Sequence, residues 1–185
     1  MKNIIDLKRK DGINLKAELK VLDESYIKKI MELQEYIEKS LNNKELYVSS
    51  TKKEFLEYMQ GEGEAIGYFT LDSDELIALG VYRKLGYEKE NYGYDLGIEG
   101  EKLLEIGQVE VTIVREDFRG NKLQKILCEN LEEIALNNKI SIMAATVSPY
   151  NKYSLNTFES IGYKVGKDKL KYGGLRRYVL IKYLY

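Results

Sequence analysis

The sequence contains no histidine, one cysteine and one proline. Without histidine, a Ser-His or Cys-His catalytic pair and a histidine-ligated metal site are excluded, and we expect no metal cofactor. One cysteine cannot form a disulfide within the chain, and Cys128 lies at the edge of an apolar helical stripe, where packing is expected. No apolar run approaches the ~20 residues of a membrane helix, and no signal-peptide pattern is seen at the N-terminus.

The chain also lacks an excess of charge of either sign. Lysine and arginine total 29 against 30 aspartate and glutamate, a formal net charge of −1, with no acidic or basic tail. Nucleic acid and anionic membranes are therefore not expected as partners. The length of 185 residues, without repeats or linkers, predicts one domain over residues 1–185. We expect that domain in the cytoplasm.

What is present is a βαβ pattern over residues 108–165. Residues 108–114 (QVEVTIV) alternate between two faces, which predicts a strand. The first face would carry Val109, Val111 and Ile113. The second face would carry Gln108, Glu110, Thr112 and Val114. After a polar hinge, a helix and the apolar segment 140–147 (ISIMAATV) complete the unit, whose two strands should be parallel.

The helix of this unit has a clear apolar stripe with a repeat of three to four residues. The stripe consists of Leu123, Leu127, Leu131 and Ile134. The charged residues expected to face water are Lys122, Lys125, Glu129, Glu132 and Glu133. Because a first helical turn has free amide groups and partial positive charge, the turn before this helix suits a diphosphate. The pattern alone leaves the phosphate ligand open.

Two motifs in this unit resemble the GNAT superfamily of acyl-CoA-dependent N-acyltransferases. The family carries Q/R-x-x-G-x-G/A after its fourth strand. In this chain Arg119 matches and Gly120 lies within the motif, but Lys122 and Gln124 replace the two later glycines and crowd the approach to the backbone.

The second motif is the stronger resemblance. The family has an asparagine after its fifth strand, a short helix with a small or hydroxyl residue, an aromatic residue and Gly-Phe or Gly-Tyr. The corresponding residues here are Asn151, Ser154, Phe158, Gly162 and Tyr163. Asn151 can cap the helix, and Gly162 suits the left-handed residue that closes it.

The resemblance implies an α/β fold of the layered α+β type, with a mixed, centrally splayed β-sheet of about seven strands flanked by about four helices. The preceding elements fit this order. They are a strand at 13–22, a helix from Asp23 to about Leu41, a short helix opened by Thr51 and Glu54, and strands at 64–71 and 75–84. Two strands at 163–169 and 176–183 would complete the sheet.

Residues 85–105 resemble an insertion between the third and fourth strands of the family. A substrate-binding loop and a solvated loop both remain open for it. If the insertion faces the acceptor, its acidic residues would favour a cationic amine.

The resemblance further implies acetyl-CoA as co-substrate, with pantetheine along the fourth strand and pyrophosphate at the helix. The cofactor-binding residues so implied are Thr112, Ile113, Val114, Arg119, Gly120, Asn121, Lys122, Leu123, Gln124, Lys125, Asn151 and Ser154. A backbone N–H near Val114 would stabilise the oxyanion.

Glu110 is the candidate general base, because it lies opposite Val109 and away from that core face. An ion pair with a nearby lysine or arginine on a solvated patch is the alternative. Many family members place a tyrosine acid where this chain has Phe158, which has no proton to give. Tyr153, Tyr150 or a water molecule could substitute, and Tyr153 is the weak candidate acid.

The function implied is N-acetyl transfer from acetyl-CoA directly to a primary amine of a small molecule or peptide, by a monomer or homodimer. The alternative is a domain of the same fold that binds CoA as a sensor or serves as an interaction module. Lys122, Gln124 and Phe158 favour this alternative. A dinucleotide-binding protein is a weaker third hypothesis, since it would need a glycine-rich turn after the first strand.

Overall fold

The computed structural model describes residues 3–185, and its centre is one eight-stranded sheet. The strands are β1 Ile4–Lys8, β2 Asn14–Leu22, β3 Gly63–Thr70, β4 Leu76–Lys84, β5 Ile106–Val114, β6 Ile142–Val147, β7 Lys164–Lys171 and β8 Leu175–Tyr183. Their order is β1-β2-β3-β4-β5-β6-β8-β7. The β5–β6 pair is parallel and the other neighbours are antiparallel, which confirms the mixed sheet.

Five α-helices accompany the sheet within residues 3–185. They are α1 Ile27–Ser40, α2 Lys52–Tyr58, α3 Tyr92–Asp95, α4 Leu123–Asn137 and α5 Lys152–Ser160. The sheet has one strand more than the expected seven, because residues 4–8 form an additional strand, β1, that pairs with β2. The helix count exceeds the expected four because the insertion forms α3. No helix in this described part of the chain is long and apolar enough to cross a bilayer.

Local capping explains where the first helices begin. The Asp23 side chain accepts a hydrogen bond from the Ser25 amide at 2.9 Å and opens a 3₁₀ turn that leads into α1. Thr51 and Glu54 form the predicted capping box at α2, in which each side chain bonds to the other residue's backbone amide. These caps satisfy amides that have no partner within a helix.

Helices α1 and α2 cover one face of the sheet, and α4 covers the other. The buried stripe of α4 is confirmed, and Cys128 is fully buried within the same core. One expectation for α4 is wrong, because Glu132 does not face water. Its carboxylate accepts a hydrogen bond from Lys182 of β8 at 2.6 Å and is largely buried there.

A β-bulge at Glu110 corrects the predicted faces of β5. Val111 pairs with Val81, but Val109 pairs with Tyr82, so Glu110 is an extra residue in the ladder. Such an extra residue reverses the alternation beyond it. Val109 therefore packs in the α4 core, whereas Val111 and Ile113 pack in the α1–α2 core.

The parallel pairing of β5 and β6 ends close to this bulge. It runs from Ile106 opposite Ile142 to Val109 opposite Ala145. Beyond that point β5 continues alongside β4, and β6 continues alongside β8. The two strands consequently diverge, and the sheet is splayed at its centre as expected.

The insertion over residues 85–105 is a packed element, which excludes the alternative of a merely solvated loop and leaves the substrate-binding loop as a prediction. Tyr92 and Leu103 are buried in a cluster with residues of β5, β6 and β8. Asn91 holds the segment together. Its side chain accepts from the Gly93 amide at 2.8 Å and donates to the Gly86 carbonyl at 2.7 Å.

Candidate functional site

The Asn121 side chain ties the turn before α4 to the N-terminal hairpin. Asn121 Oδ1 accepts from the Lys8 amide at 2.9 Å, while its Nδ2 donates to the carbonyls of Lys8 and Phe118 at 2.8 and 2.9 Å. Arg115 fixes the start of the same turn through Asp117 and stacks over the Tyr36 ring. The turn is thereby held in one conformation before any ligand arrives.

This turn leaves a continuous run of free amide groups. The backbone N–H groups of residues 120–125 donate none of the hydrogen bonds formed within residues 3–185. Gly120 has a φ of 96°, a conformation that favours glycine and that lets the chain turn into α4. Arg119 and Lys122 form no ion pair in the same part of the chain, so two cations stand beside the free amides. Amides and cations together fit a phosphate group.

Lys122 replaces a family glycine but keeps a glycine-like backbone. It is the N-cap of α4, with φ 59° and ψ 22° in the left-handed region. A side chain in that region costs roughly 1–2 kcal/mol. The chain therefore retains the turn that the motif encodes, without the residue that usually permits it.

Gln124 replaces the second glycine, and its side chain reaches across the divergence of the strands. Its Nε2 donates to Thr112 Oγ1 of β5 at 3.1 Å and to Ser154 Oγ of α5 at 2.8 Å. Three of the predicted cofactor-binding residues are thus in direct contact. The side-chain amide of Gln124 therefore bridges β5 and α5, the two elements between which a ligand would pass.

Helix α5 carries the second motif. The Asn151 side chain accepts from the Ser154 amide at 3.2 Å, so its capping role is confirmed. Gly162 has a φ of 98° and closes the helix as expected. Phe158 is buried edge-on against Tyr163, with ring centroids 5.0 Å apart. Tyr153, the candidate acid, is 89% exposed and projects from the first turn of α5.

Glu110 lies on the opposite face of the sheet from α4, in a cleft with other polar groups. Its Oε2 accepts from Gln108 Nε2 at 2.6 Å and lies 3.8 Å from Arg83 Nη1. Burial raises the pKa of Glu110, while the hydrogen bond from Gln108 and the charge of Arg83 lower it. The net pKa is above the ordinary 4.5, so this carboxylate is a better proton acceptor than a solvated one.

The insertion reaches Glu110 through Gln108. The Tyr92 amide donates to Gln108 Oε1 at 3.1 Å. Because Oε1 is occupied by that donor, Nε2 is the group directed at Glu110. Gln108 is almost fully buried, which keeps this orientation. The relay from Tyr92 to Gln108 to Glu110 links the insertion to the candidate base.

Tyrosine hydroxyls line the same cleft. Tyr172, in the β7–β8 turn, lies 2.9 Å from the Tyr92 hydroxyl and 3.0 Å from Thr146 Oγ1. The ring of Tyr58 packs under Arg83, with the guanidinium carbon 4.7 Å from the ring centroid. Elements far apart in the sequence therefore meet around the candidate base.

Sequence reasoning missed most of this cleft. The alternation of β5 identified Glu110 and Gln108, but nothing in the sequence indicated which tyrosines of the insertion or of the C-terminal turn would join them. Arg83 pairs with Gln108 across the antiparallel β4–β5 ladder, and the sequence offered it only as the general alternative of an ion pair between Glu110 and a nearby lysine or arginine.

Comparison with known families agrees with this geometry. Residues 41–163, about two-thirds of the chain, match the model of the acetyltransferase (GNAT) family. The chain belongs to the GNAT acetyltransferase family. A search among curated proteins finds no match to the sequence.

Solved GNAT structures share the fold at low sequence identity. A GNAT-family acetyltransferase from Streptococcus pneumoniae is 12% identical, with a TM-score of 0.68 over 91% of this chain and 99% of that one. The GNAT domain of S. lividans PAT is 18% identical, with a TM-score of 0.65 over 98% and 97%. YncA from Salmonella typhimurium, solved with its cofactor acetyl-CoA, is 12% identical, with a TM-score of 0.67 over 91% and 94%.

The strain at Lys122 gives a stability prediction. Lys122→Gly should raise the free energy of unfolding by roughly 1 kcal/mol, because glycine adopts a positive φ without steric cost. Urea unfolding followed by circular dichroism would measure it. Lys122→Ala is the matched control, since it removes the same side chain but keeps a Cβ. A Gly variant no more stable than the Ala variant would contradict the strain.

Proposed function

We propose that this GNAT-family protein is an N-acetyltransferase that moves an acetyl group from acetyl-CoA directly to a primary amine of a small molecule or peptide. The observation that carries the proposal is the run of free amides at residues 120–125, placed beside the divergence of β5 and β6. The fold family supplies the donor, and the cleft at Glu110 supplies a proton acceptor on the other side of the same strand.

In this proposal the amides of residues 120–125 hold the pyrophosphate of acetyl-CoA, with Arg119, Lys122 and Lys125 as cations. The pantetheine arm lies along β5 at residues 112–114, whose edge towards β6 has no strand partner. Asn151 and Ser154 line the far wall. These roles follow the residues that match the family motifs.

The transfer itself needs one base and one acid. Glu110 takes a proton from the ammonium form of the acceptor, and the neutral amine attacks the thioester carbonyl. A backbone N–H near Val114 stabilises the oxyanion. The C–N bond forms first, and collapse of the tetrahedral intermediate then breaks the C–S bond. The CoA thiolate takes a proton from Tyr153 or from water, and that donor regains a proton from the acetylated nitrogen. Gln108 positions Glu110 and does not touch the reacting atoms.

A second candidate function rests on Gln124. Its side chain bonds to both Thr112 and Ser154 and so occupies the passage between β5 and α5. If this bridge of two hydrogen bonds remains in place when CoA is present, the protein is a GNAT-fold domain without transfer activity. It is then either a CoA sensor or an interaction module. The absence of a tyrosine at Phe158 agrees with that reading.

Calorimetry with acetyl-CoA and CoA, followed by a free-thiol release assay over a panel of amines, separates the two functions. Binding with turnover supports the transferase, and binding without turnover on any amine supports the sensor. No binding of either ligand contradicts the transferase and the CoA sensor, and leaves the interaction module.

Gln124→Ala tests whether the bridge opposes the ligand. We expect CoA to bind about 30-fold more tightly, because two hydrogen bonds of about 1 kcal/mol each no longer have to be broken. Calorimetry measures the affinity. Ser160→Ala, which removes a hydroxyl from the exposed last turn of the same helix α5, is the control and should leave the affinity unchanged. Weaker binding of CoA by Gln124→Ala would show that Gln124 holds the ligand.

The role of Glu110 predicts both a rate and a pH dependence. Glu110→Gln should lower kcat/KM by about 100- to 10,000-fold, the usual effect of losing a general base. In the unmodified protein kcat/KM should fall as the pH drops through the raised pKa of Glu110, because protonation removes the base. Glu57→Gln on the exposed side of α2 is the control. An unchanged rate in Glu110→Gln would exclude this base.

Replacing Gln108 should shift the pH dependence of kcat/KM that Glu110 sets. The hydrogen bond that it donates lowers the pKa of Glu110, so Gln108→Leu should move the acidic limb of kcat/KM to higher pH. A purely structural role would lower the rate without moving that limb. The pH–rate profile of the variant distinguishes the two.

A further inference from the structure

Arg177 on β8 is a buried cation whose hydrogen bonds go to backbone carbonyls. It is only 4% exposed. Its Nη1 donates to the Arg176 carbonyl at 2.9 Å, and its Nη2 donates to the Glu45 carbonyl at 2.7 Å. Arg177 forms no ion pair within residues 3–185. Burying a charge is costly unless an opposite charge accompanies it, so this residue calls for an explanation.

The other enclosed cations within residues 3–185 are paired. Arg115 bonds to Asp117 at 3.0 Å, Lys182 bonds to Glu132 at 2.6 Å, and Lys171 pairs with Asp95. Two backbone carbonyls hold Arg177, and the Glu45 carboxylate acts on it only at a distance, so no carboxylate of residues 3–185 contacts the guanidinium. A guanidinium carries five N–H donors, so groups remain for a further acceptor.

Arg177 belongs to the cleft that contains Glu110. Residues two apart on a strand share a face, and Val179 packs with Tyr92 of the insertion. The guanidinium carbon of Arg177 lies 5.9 Å from the centroid of the Tyr172 ring, whose hydroxyl contacts Tyr92 and Thr146. The loop between α1 and α2 closes over Arg177 through the Glu45 carbonyl.

The two charged groups stand at a distance that a small molecule can span. Val109 pairs with Ala145, and Ala145 pairs with Leu180, so Glu110 and Arg177 are two strands apart and offset by a few residues. With strands ~4.8 Å apart and ~3.3 Å per residue, their Cα atoms would be about 12 Å apart in a regular sheet, and the divergence of β5 from β6 increases that separation. Both residues lie on the face of the sheet that the insertion covers, so a small acceptor with two polar ends is the kind of molecule that could contact both.

We propose that Arg177 binds a carboxylate of the acceptor, and that the acceptor is therefore an amino-acid-like molecule with its amine at Glu110 and its carboxylate at Arg177. This inference rests on the transferase function proposed above and names its substrate class. The guanidinium fork matches a carboxylate geometrically, and the hydroxyls of Tyr92, Tyr172 and Thr146 are available beside it.

The charges around Arg177 are positive overall. Lys169 and Lys171 border this region and share one partner, Asp95, so these two cations and one anion leave a net positive charge. The two lysines more than neutralise this acid of the insertion. The insertion thus contributes little negative charge there, and a simple polyamine would meet the unpaired Arg177.

Matched acceptors test the proposal. The standard amino acids, each paired with its carboxamide and its decarboxylated amine, should be compared by free-thiol release from acetyl-CoA. We expect at least one carboxylate acceptor to have a kcat/KM about 10- to 100-fold above its carboxamide, the effect of one charge-assisted hydrogen-bonded pair. Equal rates for every carboxylate and carboxamide pair would overturn the proposal.

Variants of Arg177 test whether this residue causes the preference for carboxylate acceptors. Arg177→Gln should abolish the preference for the carboxylate while changing the rate on uncharged amines by less than about 3-fold. Arg177→Lys keeps the charge but loses the fork, so it should retain part of the preference. Arg176→Gln is the control, because the Arg176 side chain pairs with Asp168 on the exposed edge of the sheet. This variant should keep the full preference for the carboxylate.

A binding measurement separates failure of this inference from failure of the transferase function. Thermal shift with N-acetyl amino acids and their carboxamides, in the presence of CoA, needs no turnover. Stabilisation by the carboxylates that is lost in Arg177→Gln supports the anion site even if no amine is acetylated. Equal shifts for both ligand types, or a preference that survives in a folded Arg177→Gln, would contradict it.

Discussion

The end of the parallel pairing between β5 and β6 is the constraint on which the site depends. The ladder stops at Val109 and Ala145, and the bulge at Glu110 follows at once. That single extra residue has two effects. It turns Glu110 into the cleft shared with Gln108 and Arg83, and it places Thr112 on the α4 face, where Gln124 reaches it. The cofactor side and the acceptor side of one strand are thereby separated.

The α4 turn supplies the second requirement, a rigid array of backbone donors. Asn121 binds the turn to Lys8, and Arg115 binds its start, so the free amides of residues 120–125 are held before a ligand binds. Preorganised donors lose less entropy on binding than mobile ones. Lys122 preserves the left-handed N-cap that the family normally assigns to glycine. The turn conformation is therefore retained although the sequence motif has changed.

Sequence patterns predicted the elements better than their faces. The capping residues, the α4 stripe and the βαβ order are local properties, and each was found in the structure. The bulge was not predictable from β5, since VEVTIV alternates without interruption and the register is set by Val81 and Tyr82 of β4. Glu132 was misassigned for the same reason, because its partner Lys182 is 50 residues away. The cleft tyrosines likewise depend on tertiary packing of the insertion.

The claim that the amides of residues 120–125 bind the pyrophosphate of CoA can be tested directly by amide hydrogen exchange. Free amides exchange rapidly, and hydrogen bonds to phosphate should slow them at saturating CoA. We predict strong protection of residues 120–125, with weaker protection along β5 at residues 112–114. Unchanged exchange at residues 120–125, under conditions in which calorimetry shows CoA to be bound, would contradict the account.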